Sequence, residues 1–491
     1  MTSNAEAIVQ QVSAEFRGLV AYVTGPETQT AAAYTVEAAL FRRVLALGAL
    51  LLRIFFLTRA QARPAAPVSA ADGLPLAYHD HRQTTYYSVF GKIAFTRHHF
   101  TAPGQAGVCP LDAALGLPPR CYSDLLRDWA DYGSTDGSYR ESATVLARIL
   151  GQTVSPHALE TAVAEDAQDV DAFYTQPPLP VVAPAATILV VQADGKGVPQ
   201  VPAPDAAPAP ARLGKGQKRT TKKEAVVTSV YRIAPYPRSP AEVAAALLRE
   251  RDDQARPAPR PVPVRKEVRA TLAGKAVALA RLAARAAQHD DPTAIRHRVA
   301  LTDGAEALQQ QVAAHFPDYT LVLDIIHATE YLWEAANALL GERHPQRTAW
   351  VRGHLRDLLA GQTATVVGAL QQAAAAPTCT ATQREVLRRV GGYYQRNAPY
   401  MRYHEYLARG WPIGTGVVEG ACGHLVKGRM EQSGMRWSPA GAQAVLDLRA
   451  VRLNGDWDAY WAFHRQRQQQ RLYGTTAVPH PPEHQLDLLA A

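Results

Sequence analysis

The middle of the chain restricts the fold most strongly. Between residues 187 and 324, short apolar runs alternate with helical patterns. Short apolar runs that end in turn residues are typical of buried strands. The strand-like runs are "ATILVVQADGKGVP", "EAVVTSVYRIA", "RHRVALTDGAEAL" and "YTLVLD", and the helical patterns are "AGKAVALARLAARAAQ" and "EALQQQVAAHF". With one weak strand before the first helix, this order predicts a mixed α/β sheet.

Acidic residues follow these runs. Asp194, Asp303 and Asp324 each stand at the predicted end of a strand, and Glu419 lies among glycines in "GWPIGTGVVEGACGHLVKGRM". Acids placed past strand ends converge at one edge of an α/β sheet, where such proteins carry their sites. An Asp-Gly pair is also common turn chemistry, so each aspartate alone remains open to that interpretation. The combination of two strand-ending Asp-Gly pairs with a later acid is more specific.

Several carboxylates in one cleft repel one another unless cations hold them. Oxygen ligands without histidine or cysteine partners suit Mg²⁺ or Mn²⁺. Two such ions about 3.5–4 Å apart stabilise the attacking and leaving oxygens of a phosphoryl displacement. The acids therefore indicate a metal-dependent nuclease type of chemistry, with DNA as a fitting substrate.

The bulk composition gives weaker guidance. The 491 residues carry 52 basic and 44 acidic side chains, a formal charge of +8 that weakly favours a polyanionic partner. The four cysteines form no CxxC pair, which suits a reducing cytosol. We expect no signal peptide and no membrane span, because arginines interrupt the most apolar segment, "VLALGALLLRIFFL".

The N-terminal part is mostly helical by pattern. Residues 1–63 read as two helices, the second of which we expect to be buried, and "TTYYSVFGKIAFTRHHFTAPG" reads as a β-hairpin. Farther on, a helix that ends at Gly151 and another that is capped by Ser155 give the outline of a helix-turn-helix. An ordinary helical hairpin fits this outline equally well.

The motifs "VVQADGKGVP", "VALTDGAEALQQQVAAHFPDYTLVLDIIHATEYLWEAA" and "GWPIGTGVVEGACGHLVKGRMEQSGMRWSPAGAQAVLDLRAVRLNGDW" resemble bacterial insertion-sequence transposases of the ISKra group, relatives of the Mutator-like DDE transposases. The resemblance covers roughly residues 85–465. It implies a ribonuclease H-like core with a helical insertion, Mg²⁺ or Mn²⁺ as cofactor, and double-stranded DNA as partner. It also implies a homodimer or larger assembly on DNA, in a bacterial cytoplasm near the nucleoid.

The resemblance assigns roles to particular residues. Asp194, Asp303 and Glu419 match the metal-binding catalytic triad, while Asp324 competes with Asp303 for the second place and is expected beside the site as a metal ligand. We favour Asp303 because it follows the fourth strand. His327, three residues after Asp324, is expected either to orient the scissile phosphate or to bond to Asp324; the alternative is a capping aspartate with a packed histidine.

Further residues are expected to contact DNA or to be excluded as ligands. Lys196, Lys427, Arg429 and Arg436 are predicted to bind phosphates, whereas Trp411 and Trp437 are predicted to be core. Related transposases often carry a cysteine-containing ribbon after the hairpin. Only Cys109 is present here, so we expect no structural zinc in that segment.

The sequence predicts six segments: an N-terminal helical region (1–63), a hairpin and helix-turn-helix-like DNA-binding region (76–175), the first part of the core (185–328), a helical insertion (329–408), the last acidic helix with the end of the core (409–462), and a polar tail (463–491). The expected function is a DNA transposase. A structure-specific metal-dependent nuclease and a DNA-binding protein derived from a transposase are the alternatives.

Overall fold

The computed structural model describes residues 3–61, 67–70, 72–178, 183–202, 221–250 and 259–474. The sequence also predicts that the proline- and alanine-rich stretch "PQVPAPDAAPAPA" and the basic run "RLGKGQKRTTKK" are exposed. Most of both stretches, and the end of the predicted polar tail, lie outside the described residues. The chain divides into two compact units. Unit 1 comprises Met1–Asp169 with Trp457–Ala491, and unit 2 comprises Val170–Asp456.

Unit 1 is helical apart from one hairpin. Its elements are α1 (Ser3–Thr24), α2 (Pro26–Gln29), α3 (Ala33–Gln61), β1 (Ala77–Ser88), β2 (Gly91–Thr101), α4 (Pro110–Ala114), α5 (Asp124–Asp136), α6 (Tyr139–Leu150), α7 (Pro156–Asp166) and α20 (Trp457–Tyr473). The predicted hairpin is present, with β1 antiparallel to β2.

The expectation that the second N-terminal helix is buried is wrong for most of its length. Phe56 is the one buried side chain described in α3, where it stacks on Phe95 of β2 with ring centroids 4.5 Å apart. Phe41, Val44 and Phe55 remain exposed. The helix thus buries little of its apolar surface completely, which its apolar composition alone did not reveal.

The helix pair of the helix-turn-helix outline forms as predicted. Gly151 ends α6 in the left-handed conformation with φ 70°, and the Ser155 side chain accepts a hydrogen bond from the Ala158 amide at the start of α7. However, α7 reads "PHALETAVAED" and contains no lysine or arginine. The helix after the turn therefore offers no permanently charged basic side chain to a phosphate.

The boundary expected at residue 462 is also wrong. α20 continues without a break from Trp457 to Tyr473, so the segment predicted as a polar tail begins as ordered helix. Its polar residues are held by buried acids: His464 Nε2 lies 2.9 Å from Asp166, and Arg467 Nε donates to Asp169 at 2.9 Å. The polar composition thus conceals a core-facing helix of unit 1.

Unit 2 has a mixed sheet with helices on both faces. Its elements are α8 (Val170–Tyr174), β3 (Ile188–Pro199), β4 (Lys222–Ile233), α9 (Pro240–Leu247), β5 (Val264–Thr271), α10 (Lys275–His289), β6 (His297–Thr302), α11 (Glu306–His315), β7 (Thr320–Leu323), α12 (Ile325–Leu340), α13 (Arg347–Leu359), α14 (Thr363–Ala375), α15 (Ala381–Asn397), α16 (Tyr403–Ala408), α17 (Gly416–Ala421), a π-helix (Cys422–Lys427), α18 (Gly428–Met430) and α19 (Pro439–Asn454).

The five strands lie in the order β5-β4-β3-β6-β7. β4 is antiparallel to both β3 and β5, whereas β6 runs parallel to β3 and β7 runs parallel to β6. The prediction of a mixed α/β sheet, including its weak third strand, is confirmed.

The apolar core follows the two-residue period of the strands. Ile188 and Val190 face the helices that follow β7, in one large buried cluster, whereas Leu189 and Val191 face α10 and α11 in a second cluster. Both faces of the central strands are therefore covered, which explains their continuous apolar composition. Among the described residues, no helix is long and apolar enough to cross a membrane.

Candidate active site

Three aspartates align at one edge of the unit 2 sheet. The parallel pairing of β3 with β6 sets Gln192 beside Leu301, and that of β6 with β7 sets Thr302 beside Leu323. Two residues beyond Gln192 and Leu301, the first register sets Asp194 beside Asp303. One residue beyond Thr302 and Leu323, the second register sets Asp303 beside Asp324, so the three aspartates form one row. Because neighbouring strands lie about 4.8 Å apart, such a row concentrates negative charge where the parallel strands end.

The sequence placed Asp194 at the end of its strand, and this detail is wrong. β3 continues to Pro199, because β4 pairs with it along its whole length, as far as Pro199 opposite Lys222. The parallel partner β6 stops pairing at Gln192, however. Asp194 therefore lies just beyond the parallel part of the sheet while its own backbone stays in the antiparallel ladder.

Asp324 differs from the other acids in its burial. Its side chain is inaccessible to solvent, and both oxygens accept hydrogen bonds. Oδ1 accepts from the Thr415 amide at 3.0 Å, and Oδ2 accepts from the His327 amide at 2.9 Å and faces His327 Nδ1 at 2.7 Å. Asp324 thus caps α12 and ties the end of β7 to the segment that leads to Glu419.

The charge on His327 follows from this contact. The hydrogen bond to Asp324 raises the pKa of His327 to about 9, although partial burial acts in the other direction, and the negative charges of Asp324 and Asp303 add to the increase. The imidazole is therefore protonated at neutral pH. The alternative of a capping aspartate with a packed histidine agrees with this geometry, and the predicted bond to Asp324 is present.

Glu419 is placed by contacts from two strands. Asp324 holds Thr415, and the Gln192 side chain accepts from the Val418 amide at 2.9 Å and donates to the Gly414 carbonyl at 3.3 Å. Gln192 thereby satisfies an amide in the first turn of α17, which has no side-chain cap of its own. The Thr415 hydroxyl donates to Glu419 Oε1 at 2.5 Å. Sequence reasoning missed both Gln192 and Thr415, although each lies inside a quoted motif.

A π-helix from Cys422 to Lys427 directly follows α17, the helix that carries Glu419. Single-turn π segments inside helices are frequent at functional sites. Here Arg449 of α19 stabilises the segment, since its Nε donates to the carbonyls of His424 at 2.9 Å and of Leu425 at 3.1 Å. The wider turn also sets Cys422 against Asp194, with the thiol 3.3 Å from Oδ2.

Two neutral side chains, Cys422 and Tyr393, lie beside the acids. Burial raises the pKa of the Cys422 thiol, and the charges of Asp194 and Glu419 raise it further. Burial likewise raises the pKa of Tyr393, with Asp303 and Asp324 contributing, and its hydroxyl donates to the Asp303 carbonyl at 3.1 Å. Both groups therefore remain neutral at physiological pH and add no negative charge to the site.

Two criteria for a metal site select different residues. The candidate ligand atoms of Asp324, His327 and Glu419 all lie within 4.8 Å of one another, a group that contains neither Asp194 nor Asp303. Burial favours the predicted triad, because Asp194, Asp303 and Glu419 are half-buried and open to ions whereas Asp324 is not. We give more weight to burial, since a protonated His327 and a fully hydrogen-bonded Asp324 already satisfy each other.

The three open acids fit a hard divalent cation. Within the part of the chain that the structure describes, none of them forms an ion pair with a basic side chain. Asp303 Oδ1 accepts from the Ala305 amide and Glu419 Oε1 from Thr415, while Asp303 Oδ2 and Glu419 Oε2 make no hydrogen bond to described residues. Carboxylate oxygens that are accessible and unpaired are the donors that Mg²⁺ and Mn²⁺ take.

A patch of lysines lies close to the π-helix. Lys196, Lys222 and Lys427 surround Glu431, which is ion-paired with Lys222. This hydrogen bond lowers the pKa of Glu431 despite slight burial, and the charges of all three lysines contribute. Three cations around one carboxylate leave a net positive surface. Of these lysines, Lys222 escaped the sequence analysis.

The predicted phosphate contacts divide into two groups. Lys427 and Arg436 are exposed and Lys196 is half-exposed, as a phosphate contact requires. Arg429 is 1% exposed, with its guanidinium carbon 4.7 Å from the centre of the Trp437 ring, so its assignment as a phosphate contact is wrong. Trp411 and Trp437 are buried, which confirms the prediction that both are core.

Comparison with known proteins leaves the geometry as the main guide. No family model matches the chain, and no curated protein is similar to it at a significant level.

Proposed function

We propose that this chain is a DDE-type DNA transposase that cleaves the ends of a mobile element and joins them to target DNA. The row formed by Asp194, Asp303 and Asp324 at the sheet edge, with Glu419 brought against it by Gln192 and Thr415, carries this proposal. It agrees with the resemblance of the three sequence motifs to the ISKra transposases.

The sheet supports a ribonuclease H-like core. Three antiparallel strands, β5-β4-β3, continue into two strands parallel to β3, and this is the order and direction that such a core requires. The five helices from α12 to α16 stand between the last strand and the helix of Glu419, which is the expected place of a helical insertion. Asp194 on the first strand, Asp303 after the fourth and Glu419 on the late helix then correspond to the triad.

The reaction has two steps. Water attacks a phosphodiester at the element end and releases a 3′-hydroxyl, which then attacks a phosphodiester of the target and displaces another 3′-oxygen. Mg²⁺ or Mn²⁺ bound to Asp194, Asp303 and Glu419 would supply charge stabilisation for both oxygens. The half-buried acids fix the position of this charge, and the buried Asp324 keeps the Glu419 segment at the strand ends.

Other residues hold the DNA. The protonated His327 donates its second ring N–H to a phosphate oxygen while Asp324 fixes the ring. Lys196, Lys222 and Lys427 attract the backbone, and each contact releases counterions, so affinity falls steeply with salt. The active form is a homodimer or larger assembly that holds paired ends.

One observation favours a second candidate, a structure-specific nuclease without strand transfer. The helix after the turn of the helix-turn-helix outline has no lysine or arginine, and its charged side chains include Glu160 and Glu165. Sequence-specific recognition of element ends by this helix therefore lacks the usual phosphate contacts.

The test is a cleavage assay with Mg²⁺ or Mn²⁺ on labelled duplexes that carry the DNA flanking the coding region. We expect Asp194→Ala, Asp303→Ala and Glu419→Ala each to lower the cleavage rate by at least about 10³-fold, since each removes stabilisation of several kcal/mol. Glu306→Ala is the matched control, because this exposed acid lies three residues after Asp303. Normal cleavage by the three variants would refute the proposal.

The same reaction separates the two candidates. With a supercoiled target plasmid present, a transposase joins labelled ends to the plasmid, whereas a nuclease yields cleaved duplex alone. Cleavage that depends on the triad but gives no joined product would favour the nuclease.

A further inference from the structure

A second cluster of possible ligands lies in unit 1, on the β1–β2 hairpin. His79, Asp80 and His99 each offer a ligand atom, and these atoms lie within 4.8 Å of one another. His79 Nδ1 is 3.4 Å from Asp80 Oδ2, and His99 Nδ1 is 3.0 Å from Asp80 Oδ1. In a tetrahedral site with metal–ligand bonds of about 2.0–2.1 Å, neighbouring ligand atoms are about 3.3 Å apart. Both separations are of this size, and they run to the two different oxygens of Asp80; the shorter one is a hydrogen bond with His99.

A β-bulge brings the cluster together. Tyr78 is opposite Phe100 and Asp80 is opposite His99, so His79 has no partner across the hairpin. In a regular strand, His79 and Asp80 would point to opposite faces. The extra residue cancels this alternation locally and re-aims a side chain, as bulges do near functional positions.

The His99 ring is held in a fixed orientation. The His99 side chain is buried. After β2 the chain turns back, and Val108 exchanges two backbone hydrogen bonds with Phe100, the residue that follows His99. A Cβ atom at Gly107 would lie 1.9 Å from His99 Nε2, so glycine is required there. The packed Gly107 closes the Nε2 side of the ring and leaves Nδ1 directed at Asp80, which is the preorganisation that a metal ligand needs.

We propose that His79, Asp80 and His99 bind a divalent transition-metal ion of the Zn²⁺ class. Two imidazoles and one carboxylate suit Zn²⁺ or Co²⁺ rather than Mg²⁺. His79 and Asp80 are exposed, so the fourth position is open to water. The ion would clamp the bulge to β2. The expectation of no zinc here considered cysteine ligands, and this site uses none.

The proposal does not depend on the proposed function, and its test uses cobalt binding. Full-length protein without added histidines, stripped with EDTA, is titrated with Co²⁺ and followed by visible absorption. All proteins carry Glu419→Gln, so that the unit 2 acids compete less. We expect one equivalent of Co²⁺ to bind and Zn²⁺ to displace it. His79→Ala and Asp80→Asn should weaken binding at least about 100-fold.

The hairpin offers a matched control. His81 lies two residues from His79 and packs against His98 with ring centroids 4.7 Å apart, outside the cluster. His81→Ala should change the affinity by less than about twofold. Equal Co²⁺ affinity in the parent and His79→Ala proteins would overturn the proposal, and so would an equal loss in His81→Ala. His79 is exposed, so its replacement leaves the fold intact.

A thermal measurement gives an independent readout. A bound ion stabilises the native state through mass action. Zn²⁺ should raise the melting temperature of the parent and the His81→Ala protein but not that of His79→Ala. The same Zn²⁺ shift in all three proteins would contradict the site.

Discussion

Both units contain a group of acidic side chains, but the two groups differ in burial and in whether basic side chains pair with them. In unit 1, Asp166 and Asp169 are buried and paired with basic side chains: Arg127 Nε is 2.9 Å from Asp166, and His464 contacts both acids. In unit 2, Asp194, Asp303 and Glu419 are half-buried, and no described basic side chain forms an ion pair with them. Asp166 and Asp169 therefore serve the structure of unit 1, whereas Asp194, Asp303 and Glu419 of unit 2 stay open to a cation.

Electrostatics in unit 1 agree with a structural role. Burial alone would raise the pKa of Asp166, but Arg127 and His464 outweigh it and lower that pKa. For the neighbouring Asp131, burial and the contact with Asp166 outweigh the opposing charge of Arg127 and raise the pKa well above the usual range. This group is internally balanced and has no need of a metal.

Asp324 shares features with both groups of acids. It lies in the row of unit 2 but is buried and paired with His327, as the acids of unit 1 are paired. Proximity to Glu419 alone would make it a metal ligand, whereas its hydrogen bonds make it a support for the site. The contrast between paired and unpaired acids thus separates two roles within one cluster, and the predictions below test it.

The largest effect on stability should come from Asp166→Ala. This change leaves Arg127 and His464 buried without their main partner, which costs about 3–5 kcal/mol. Hydrogen exchange of peptides from α20 should show the loss of protection. Glu160→Ala serves as the control, because Glu160 is exposed on α7, the helix that ends at Asp166; this variant should change the protection little. Unaltered protection in Asp166→Ala would show that the pairing in unit 1 is not structural.

Within unit 2, Asp324→Asn should cost about 1–3 kcal/mol of unfolding free energy, because a buried charged acceptor is lost. Asp303→Asn should cost less than about 0.5 kcal/mol, since its carboxylate is open to solvent. Urea unfolding of the two variants measures the difference. If Asp303→Asn proves the more destabilising, the assignment of Asp324 as support and Asp303 as ligand is reversed.

The Asp324–His327 pair should show a pH signature. His327 has a folded pKa of about 9, above its value of 6.5 in an unfolded chain, so its contribution is complete below about pH 6.5 and is lost as pH rises through 9. The difference in melting temperature between wild type and His327→Gln should therefore shrink from pH 6 to pH 9.5. A constant difference would mean that the imidazole carries no charge. Other groups titrate equally in both proteins and cancel.

The smallest effect concerns the basic side chains, of which Lys427 is exposed and Arg429 is buried. Lys427→Ala should weaken DNA binding uniformly across sequences and reduce the salt slope by about one, as for a single phosphate contact. Arg429→Met should leave the slope unchanged, because the guanidinium is buried beside Trp437. DNA binding measured at several salt concentrations distinguishes the two variants. A reduced salt slope for Arg429→Met would show that Arg429 does contact a phosphate.

The sequence allowed prediction of the unit 2 sheet because its strands are buried on both faces and therefore read as apolar runs. It also placed Asp303 and Asp324 correctly after the ends of their strands, but not Asp194, which lies inside β3. It could not show that Asp324 is buried, since this depends on Thr415, a residue 91 positions away. Nor could it show that α20 belongs to unit 1, because polar residues such as His464 and Arg467 are held by distant aspartates.

The hairpin cluster was equally hidden. His79 and His99 are brought together by strand register and by a bulge that no local pattern announces. The burial of Phe56 in α3 likewise depends on where β2 lies. In each case the missing information is a long-range contact rather than a local preference.

We propose that the unpaired acids of unit 2 bind a divalent cation. Calorimetric titration with Mn²⁺, in a His79→Ala background that weakens the hairpin cluster, tests it most directly. We expect Glu419→Gln and Asp194→Asn each to weaken binding at least about tenfold, while the exposed control Glu306→Gln leaves it unchanged. If Glu419→Gln and Asp194→Asn bind Mn²⁺ as tightly as the parent, these acids do not form the metal site and the account is wrong.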